Sequence, residues 1–322
     1  MLEWTFLGTS AGSPSRTRNV SSLALRLPQR SEWWLFDCGE GTQHQLLRMP
    51  HLRLSQLTRI FVTHLHGDHF YGLPGLLASR GLALGGESNV TIHGPDGLGR
   101  WLNTTLRMTG NRPAYPIVND VIAPGWSLNE YGFTVDVCPT EHRTESYAYR
   151  IREADNPGAF DIEKAKADGL PPGKLFGQLK AGEVVTLPDG RVIDGSDYVG
   201  ETKRGRMTVY TGDTRPSDAI VAFATGADLL IHEATFHSSE QAQAEKSAHS
   251  TSLEAANVAS RAGVKELVLT HFSSRYDADT AQPGIDGLLR DAQTVFPNTR
   301  LASDFQRFSI QRPDSIQACS VR

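Results

Sequence analysis

Four side chains able to bind a metal ion, His64, His66, Asp68 and His69, fall within six residues in the run Thr63-His64-Leu65-His66-Gly67-Asp68-His69. Neutral imidazole and carboxylate are costly to bury without partners, so such crowding points to a shared cation. The mixed nitrogen and oxygen donors suit zinc, or manganese where oxygen ligands weigh more. The run follows a strand-like stretch, Thr58–Thr63. A loop leaving a strand end can turn its side chains toward one point, and open α/β sheets place their sites at the carboxyl ends of strands.

Further candidates also follow strand-like runs. Phe133–Val137 precedes Cys138-Pro139-Thr140-Glu141-His142, Thr208–Thr211 leads into Gly212-Asp213-Thr214, and Leu267–Thr270 leads into His271. Singly, each reads as a structural residue at a strand end. Together they supply what a two-metal site requires, about seven ligands with one bridging carboxylate, an arrangement suited to displacement at phosphate.

The elements that must position these residues are short apolar strands alternating with helical patterns. Strands are predicted at Trp4–Leu7, Leu23–Leu27, Trp33–Phe36 and Ile60–Val62 in a first half. In a second half they are predicted at Phe133–Val137, Ser146–Ile151, Met207–Thr211, Leu229–Ile231 and Leu267–Leu269. Helices are predicted at Thr42–Met49, Leu73–Leu82, Gly97–Met108, Asp218–Ala224, Thr251–Ala262 and Gly284–Val295. The pattern implies an α/β protein with helices packed outside its sheets. From Asp155 to Gly200, eight glycines and four prolines interrupt it. That stretch reads as a protruding insertion with a short helix at Asp161–Ala167 and a hairpin turning at Pro188-Asp189-Gly190.

Composition narrows the possibilities. The 322 residues are 39% hydrophobic and 21% charged, with a formal net charge of −4. This is a globular composition without the overall basicity of a general nucleic-acid binder, although local basic patches remain open. The longest apolar run, Ala219–Ala224, is far below the ~18–20 residues of a membrane span. The start, Met1-Leu2-Glu3-Trp4, lacks a basic segment followed by an apolar one, so no secretory signal is expected. Three scattered cysteines, Cys38, Cys138 and Cys319, exclude a disulfide framework and favour a reducing compartment, the cytoplasm. His44, His51, His93, His232 and His237 read as structural.

In order along the chain, His64-x-His66-x-Asp68-His69, His142, Asp213 and His271 resemble the metallo-β-lactamase superfamily. Other motifs narrow the resemblance to its ribonuclease Z (tRNase Z, short-form) branch. These are Phe6-Leu7-Gly8-Thr9-Ser10, Pro14-Ser15-Arg16-Thr17-Arg18-Asn19, Phe36-Asp37-Cys38-Gly39-Glu40-Gly41-Thr42, His232-Glu233-Ala234-Thr235, His249-Ser250-Thr251 and His271-Phe272-Ser273-Ser274-Arg275. The resemblance implies an αββα sandwich, two mixed sheets face to face with helices outside, in a single domain over 1–322, plus a flexible tRNA-binding exosite arm at about 155–200. It implies two zinc ions per subunit (manganese as the alternative): His64, His66 and His142 on one, Asp68, His69 and His271 on the other, Asp213 bridging. Asp68 would also accept the proton of the attacking water, and a metal-bridged hydroxide would cut the 3′ trailer from precursor tRNA. His249, oriented by Glu233, would protonate the departing ribose oxygen. The spacing of Thr251 and Glu254 forms a capping box, which sets His249 just before a helix N-terminus. Asp37 and Thr63 are expected to orient metal-bound histidines.

Precursor tRNA is the implied partner, together with a second copy of the chain in a homodimer. The insertion has five Lys/Arg against eight Asp/Glu, but its expected tip, Pro171–Gly182, carries Lys174 and Lys180 and no acid. Its glycines would let backbone N–H groups approach phosphates. Arg16, Arg18 and Arg275 are expected to grip the RNA near the cleft; Arg16 stands where the family commonly carries lysine, which leaves the handling of CCA-bearing precursors open. Three readings compete: a 3′ exoribonuclease or general phosphodiesterase on the same centre, a non-catalytic RNA-binding scaffold, and a lactamase or thioester hydrolase. The intact ligand set argues against the scaffold, and His249 with Glu233 against the last.

Overall fold

The computed structural model describes residues 2–27, 30–84, 89–156, 158–277 and 282–312. Two compact units emerge, one of residues 1–152 and 207–310, the other built around 153–206. Cys319 lies outside the described residues.

The central strands of the larger unit are apolar on both faces, so both faces must be covered. In Trp33–Phe36, Trp34 and Phe36 point into one cluster while Trp33 and Leu35 point into another. In Leu229–Glu233, Leu229 and Ile231 share the first cluster, whereas Leu230 belongs to a third. Period-two alternation thus builds three apolar layers: one between two sheets, and one between each sheet and its helices. The inter-sheet layer is rich in aromatics, with Phe36 and Phe61 stacked at 4.7 Å and Tyr149 edge-on to both.

Each sheet has seven strands. The first runs Arg307–Ile310, Leu2–Gly8, Ser22–Arg26, Trp33–Phe36, Leu57–Phe61, Val90–Gly94, Ile117–Val121, antiparallel at its beginning and parallel from Trp33–Phe36 onward. The second runs Thr299–Leu301, Leu267–Thr270, Leu229–Glu233, Met207–Tyr210, Tyr147–Glu153, Phe133–Pro139, Ser127–Glu130. Its first four strands are parallel, and Tyr147–Glu153 is antiparallel to Met207–Tyr210. Both sheets are mixed, and the expected sandwich holds. The division into halves needs one correction, because Arg307–Ile310 returns to pair with Leu2–Gly8 in the first sheet.

The smaller unit has its own core of Ala165, Leu170, Leu179, Leu187 and Tyr198. Helix Ile162–Ala167 is capped by Asp161, which accepts from the Lys164 N–H, and Val184–Thr186 pairs with Val192–Asp194 in the expected hairpin. The expected glycine-rich tip differs: Lys174–Lys180 is a helix. Leu179 is buried in the unit's core with Leu175 packed beside it, and Gly177 is tolerated because its open side meets nothing. From Phe176 onward the N–H groups of this segment serve helix bonds rather than an open phosphate cradle. Lys174 and Lys180 remain exposed. Arg206 is 3% exposed and clasps Glu153, Nε to Oε2 at 2.7 Å and Nη2 to Oε1 at 2.9 Å. These bonds hold the Glu153 carboxyl down at about 2 although burial opposes them.

Candidate metal centre

The histidine-rich loop leaves strand Leu57–Phe61, and His66 occupies the N-cap of the short helix Gly67–Phe70. His142 follows Phe133–Pro139, Asp213 follows Met207–Tyr210, Glu233 ends its strand, and His271 follows Leu267–Thr270. All seven expected ligands thus come from strand ends on one rim of the sandwich. The chain must turn sharply there. Asp37, Ala248 and His271 adopt positive φ (55°, 60° and 58°), a strained choice for residues with a Cβ. Gly212 (φ +59°) has a different reason: a Cβ there would lie 2.8 Å from the Thr63 side chain.

The donor atoms fall into two sets. In one, His66 Nδ1 lies 3.0 Å from His64 Nε2 and 3.1 Å from His142 Nε2, while Asp213 Oδ2 lies 3.5 and 3.8 Å from those two Nε2 atoms. In the other, His69 Nε2, His271 Nε2 and Asp68 Oδ2 are 3.4–3.5 Å apart, and Asp213 Oδ1 is 3.4 and 3.3 Å from the two imidazoles. Ligands about 2.0–2.1 Å from a tetrahedral zinc lie about 3.3–3.5 Å from one another, so both sets fit such an ion. Asp213 gives one oxygen to each set. Its Oδ1 is buried with no hydrogen-bond partner, as expected of an atom whose partner is a cation.

The surrounding bonds aim the lone pairs inward. His69 Nδ1–H donates to Asp37 Oδ2 at 2.8 Å, His64 Nδ1–H to the Thr63 hydroxyl at 2.9 Å, and His142 Nδ1–H to the Ala248 carbonyl at 2.8 Å. Each leaves Nε2 facing the cluster. Asp37 is further fixed by the Tyr210 hydroxyl at 2.7 Å and by the Thr63 N–H at 2.8 Å. Tyr210 carries no signal in the sequence that marks it for this task. Asp68 Oδ2 accepts the Gly12 N–H at 2.8 Å.

Charge balance follows burial. Burial first, then His69, keeps His64 well below the usual imidazole range; burial and His142 lower His66, and burial lowers His142. All three imidazoles are thus pushed toward the neutral form, the one able to bind a cation. Burial also favours the neutral form of Asp213, but His271, His69 and His64 overcome it and hold the carboxyl well down. Burial opposes charge on His249 too, yet Glu233 reverses it and raises the imidazole to about 9. The His249 Nδ1–H donates to Glu233 Oε1 at 2.8 Å, and Thr251 with Glu254 forms the capping box just beyond. Asp68 and His249 are partly open, with side chains 10% and 16% exposed, as is His66, so these groups face whatever enters.

The three arginines sit in different settings. Arg16 is exposed in a hollow of about 170 Å³ that Gln45 and Arg48 also line. Arg18 is instead a brace: its Nη1 donates to the Thr9 hydroxyl and the Ala302 carbonyl, both at 2.8 Å, and its guanidinium lies over Phe272. Arg275 is half exposed, paired with Glu240 and set over Phe236. Among the described residues no helix is long and apolar enough to cross a membrane.

The metallo-beta-lactamase superfamily model matches residues 16–136. Ribonuclease Z of Brevibacillus brevis is 49% identical over 97% of this chain and 98% of its own length. Ribonuclease Z of Microcystis aeruginosa is 50% identical over the whole of both chains. Among solved structures, human tRNase Z, short form, superposes with a TM-score of 0.68 at 29% identity, covering 96% of this chain and 99% of the other. A metallo-beta-lactamase fold protein of Bacillus subtilis, at 21% identity over 95% of this chain and 98% of the other and a TM-score of 0.66, shares the fold.

Proposed function

Because the chain belongs to the ribonuclease Z family, we infer that it is a metal-dependent endoribonuclease that removes the 3′ trailer from precursor tRNA, leaving a tRNA 3′-hydroxyl and a 5′-phosphorylated trailer. The observation that carries the reading is the pair of donor sets sharing the two oxygens of Asp213. His64, His66 and His142 would hold one zinc ion, and Asp68, His69 and His271 the other, with Asp213 shared between the sets; manganese is the alternative. Two such ions, when bound, would activate a water and offset charge on the phosphate. Asp68, partly exposed and positioned by the Gly12 N–H, would take the proton of the attacking water. As the bond from phosphorus to the ribose 3′ oxygen breaks, His249 delivers a proton to that oxygen, and Glu233 stabilises the imidazolium beforehand. Purified enzyme given two end-labelled precursors, with and without an encoded CCA, should yield a single trailer cut whose 3′ end can be mapped. A ladder of products shortened one nucleotide at a time would instead make it an exonuclease.

The unit at 153–206 is the arm that holds tRNA, with Lys174, Lys180 and Arg16 on phosphates, in a cytoplasmic homodimer. Because the arm buries its apolar side chains against one another, deletion of Gly158–Asp194 is expected to abolish precursor cleavage yet spare hydrolysis of bis(p-nitrophenyl) phosphate. Steady-state rates on the two substrates check this, and equal loss of both counts against an RNA clamp.

A further inference from the structure

Glu233 is 1% exposed and serves more than His249. Its Oε1 accepts the His249 Nδ1–H and the Thr214 N–H, both at 2.8 Å, and its Oε2 accepts the Thr235 hydroxyl at 2.6 Å. The same Thr235 oxygen lies 2.9 Å from His271 Nδ1. A hydroxyl has one proton to give. Since that proton goes to the carboxylate, the imidazole must be the donor in the second bond. Nδ1 of His271 therefore carries its hydrogen, and Nε2 presents a lone pair toward His69, Asp68 and Asp213. The arrangement repeats across the site, where the Thr63 hydroxyl donates to Asp37 and accepts from His64 Nδ1. It differs in one respect: the carboxylate behind Thr235 is also the one that orients the leaving-group acid.

We propose that Thr235 is a positioning residue that orients His271 toward the second cation by anchoring it on Glu233, the carboxylate that also orients His249. The inference rests on the two-cation reading above. Thr235→Val keeps the shape but removes the hydroxyl, leaving the His271 N–H and Glu233 Oε2 each short of a partner and the ring free to take the other tautomer. The ligands of the first set do not touch Thr235 and keep their own orienting bonds.

The test uses zinc-loaded enzyme equilibrated against a graded series of chelator concentrations, with retained zinc counted by elemental analysis. Thr235→Val and Thr235→Ala should each hold one of two ions about 10–100-fold more weakly, with the other held as in the wild type. Thr235→Ser should restore wild-type retention, and His249→Ala should keep both ions, since His249 is not a ligand. Should Thr235→Val fail to fold, Thr235→Ala carries the comparison. Wild-type retention of both ions in the folded Val and Ala variants overturns the proposal, as does a Ser variant as impaired as Val. A wild type holding a single ion removes the two-cation reading and the proposal with it.

Discussion

Asp213→Asn should cut cleavage of precursor tRNA by at least ~10³-fold, about 4 kcal/mol in the barrier, and leave fewer than two metal ions per chain. Asp213 is 2% exposed and places its two oxygens against different imidazole pairs. An amide of the same shape offers one oxygen and an N–H, so one set loses an anionic ligand and gains a donor pointed at its cation. The remaining ligands cannot compensate. His64, His66 and His142 are neutral, and Asp68 belongs to only one set. Elemental analysis beside single-turnover kinetics checks both halves. Full activity with two ions retained would mean that the bridging geometry is incidental to catalysis.

Why so much of this centre is legible in the sequence follows from where it sits. Strand ends are marked by the close of apolar runs, and a metal site needs a small set of residue types, so His142, Asp213 and His271 could be selected from a linear text. What was missed depends on distances across the fold. Ile117–Val121 is an edge strand with Val118 and Val121 exposed and Asn119 and Asp120 between them. Its backbone pairing with Val90–Gly94 makes it a strand, without help from an apolar pattern. Thr299–Leu301 and Arg307–Ile310 are shorter still, and each carries an arginine. Arg18 looks like a cationic grip until Asp277, Thr9 and Phe272, remote in sequence, are seen around it. Lys174–Lys180 looks like a loop because of Gly177, whose helix cost of ~1 kcal/mol is outweighed where Leu179 packs. Thr235 closes the motif His232-Glu233-Ala234-Thr235, but its link between Glu233 and His271 spans two strands.

The other large effect separates the chemistry of the two departing groups. Replacing His249 by alanine is expected to slow precursor tRNA cleavage by ~10²–10⁴-fold, the usual contribution of a positioned acid, while changing hydrolysis of bis(p-nitrophenyl) phosphate little. A ribose alkoxide is a poor leaving group and must be protonated as the bond breaks, whereas p-nitrophenolate is stable in water and departs without a proton. The pH profile should agree. Burial disfavours the imidazolium, but Glu233 raises His249 to about 9, so the acid is present at neutral pH and is lost as pH rises. Cations bound beside it oppose a further positive charge, so the alkaline limb of kcat should fall at or below about pH 9 in the wild type and be missing from the alanine variant. Equal slowing on both substrates, or an unchanged alkaline limb, would place His249 in orienting the phosphate rather than in protonating the leaving oxygen.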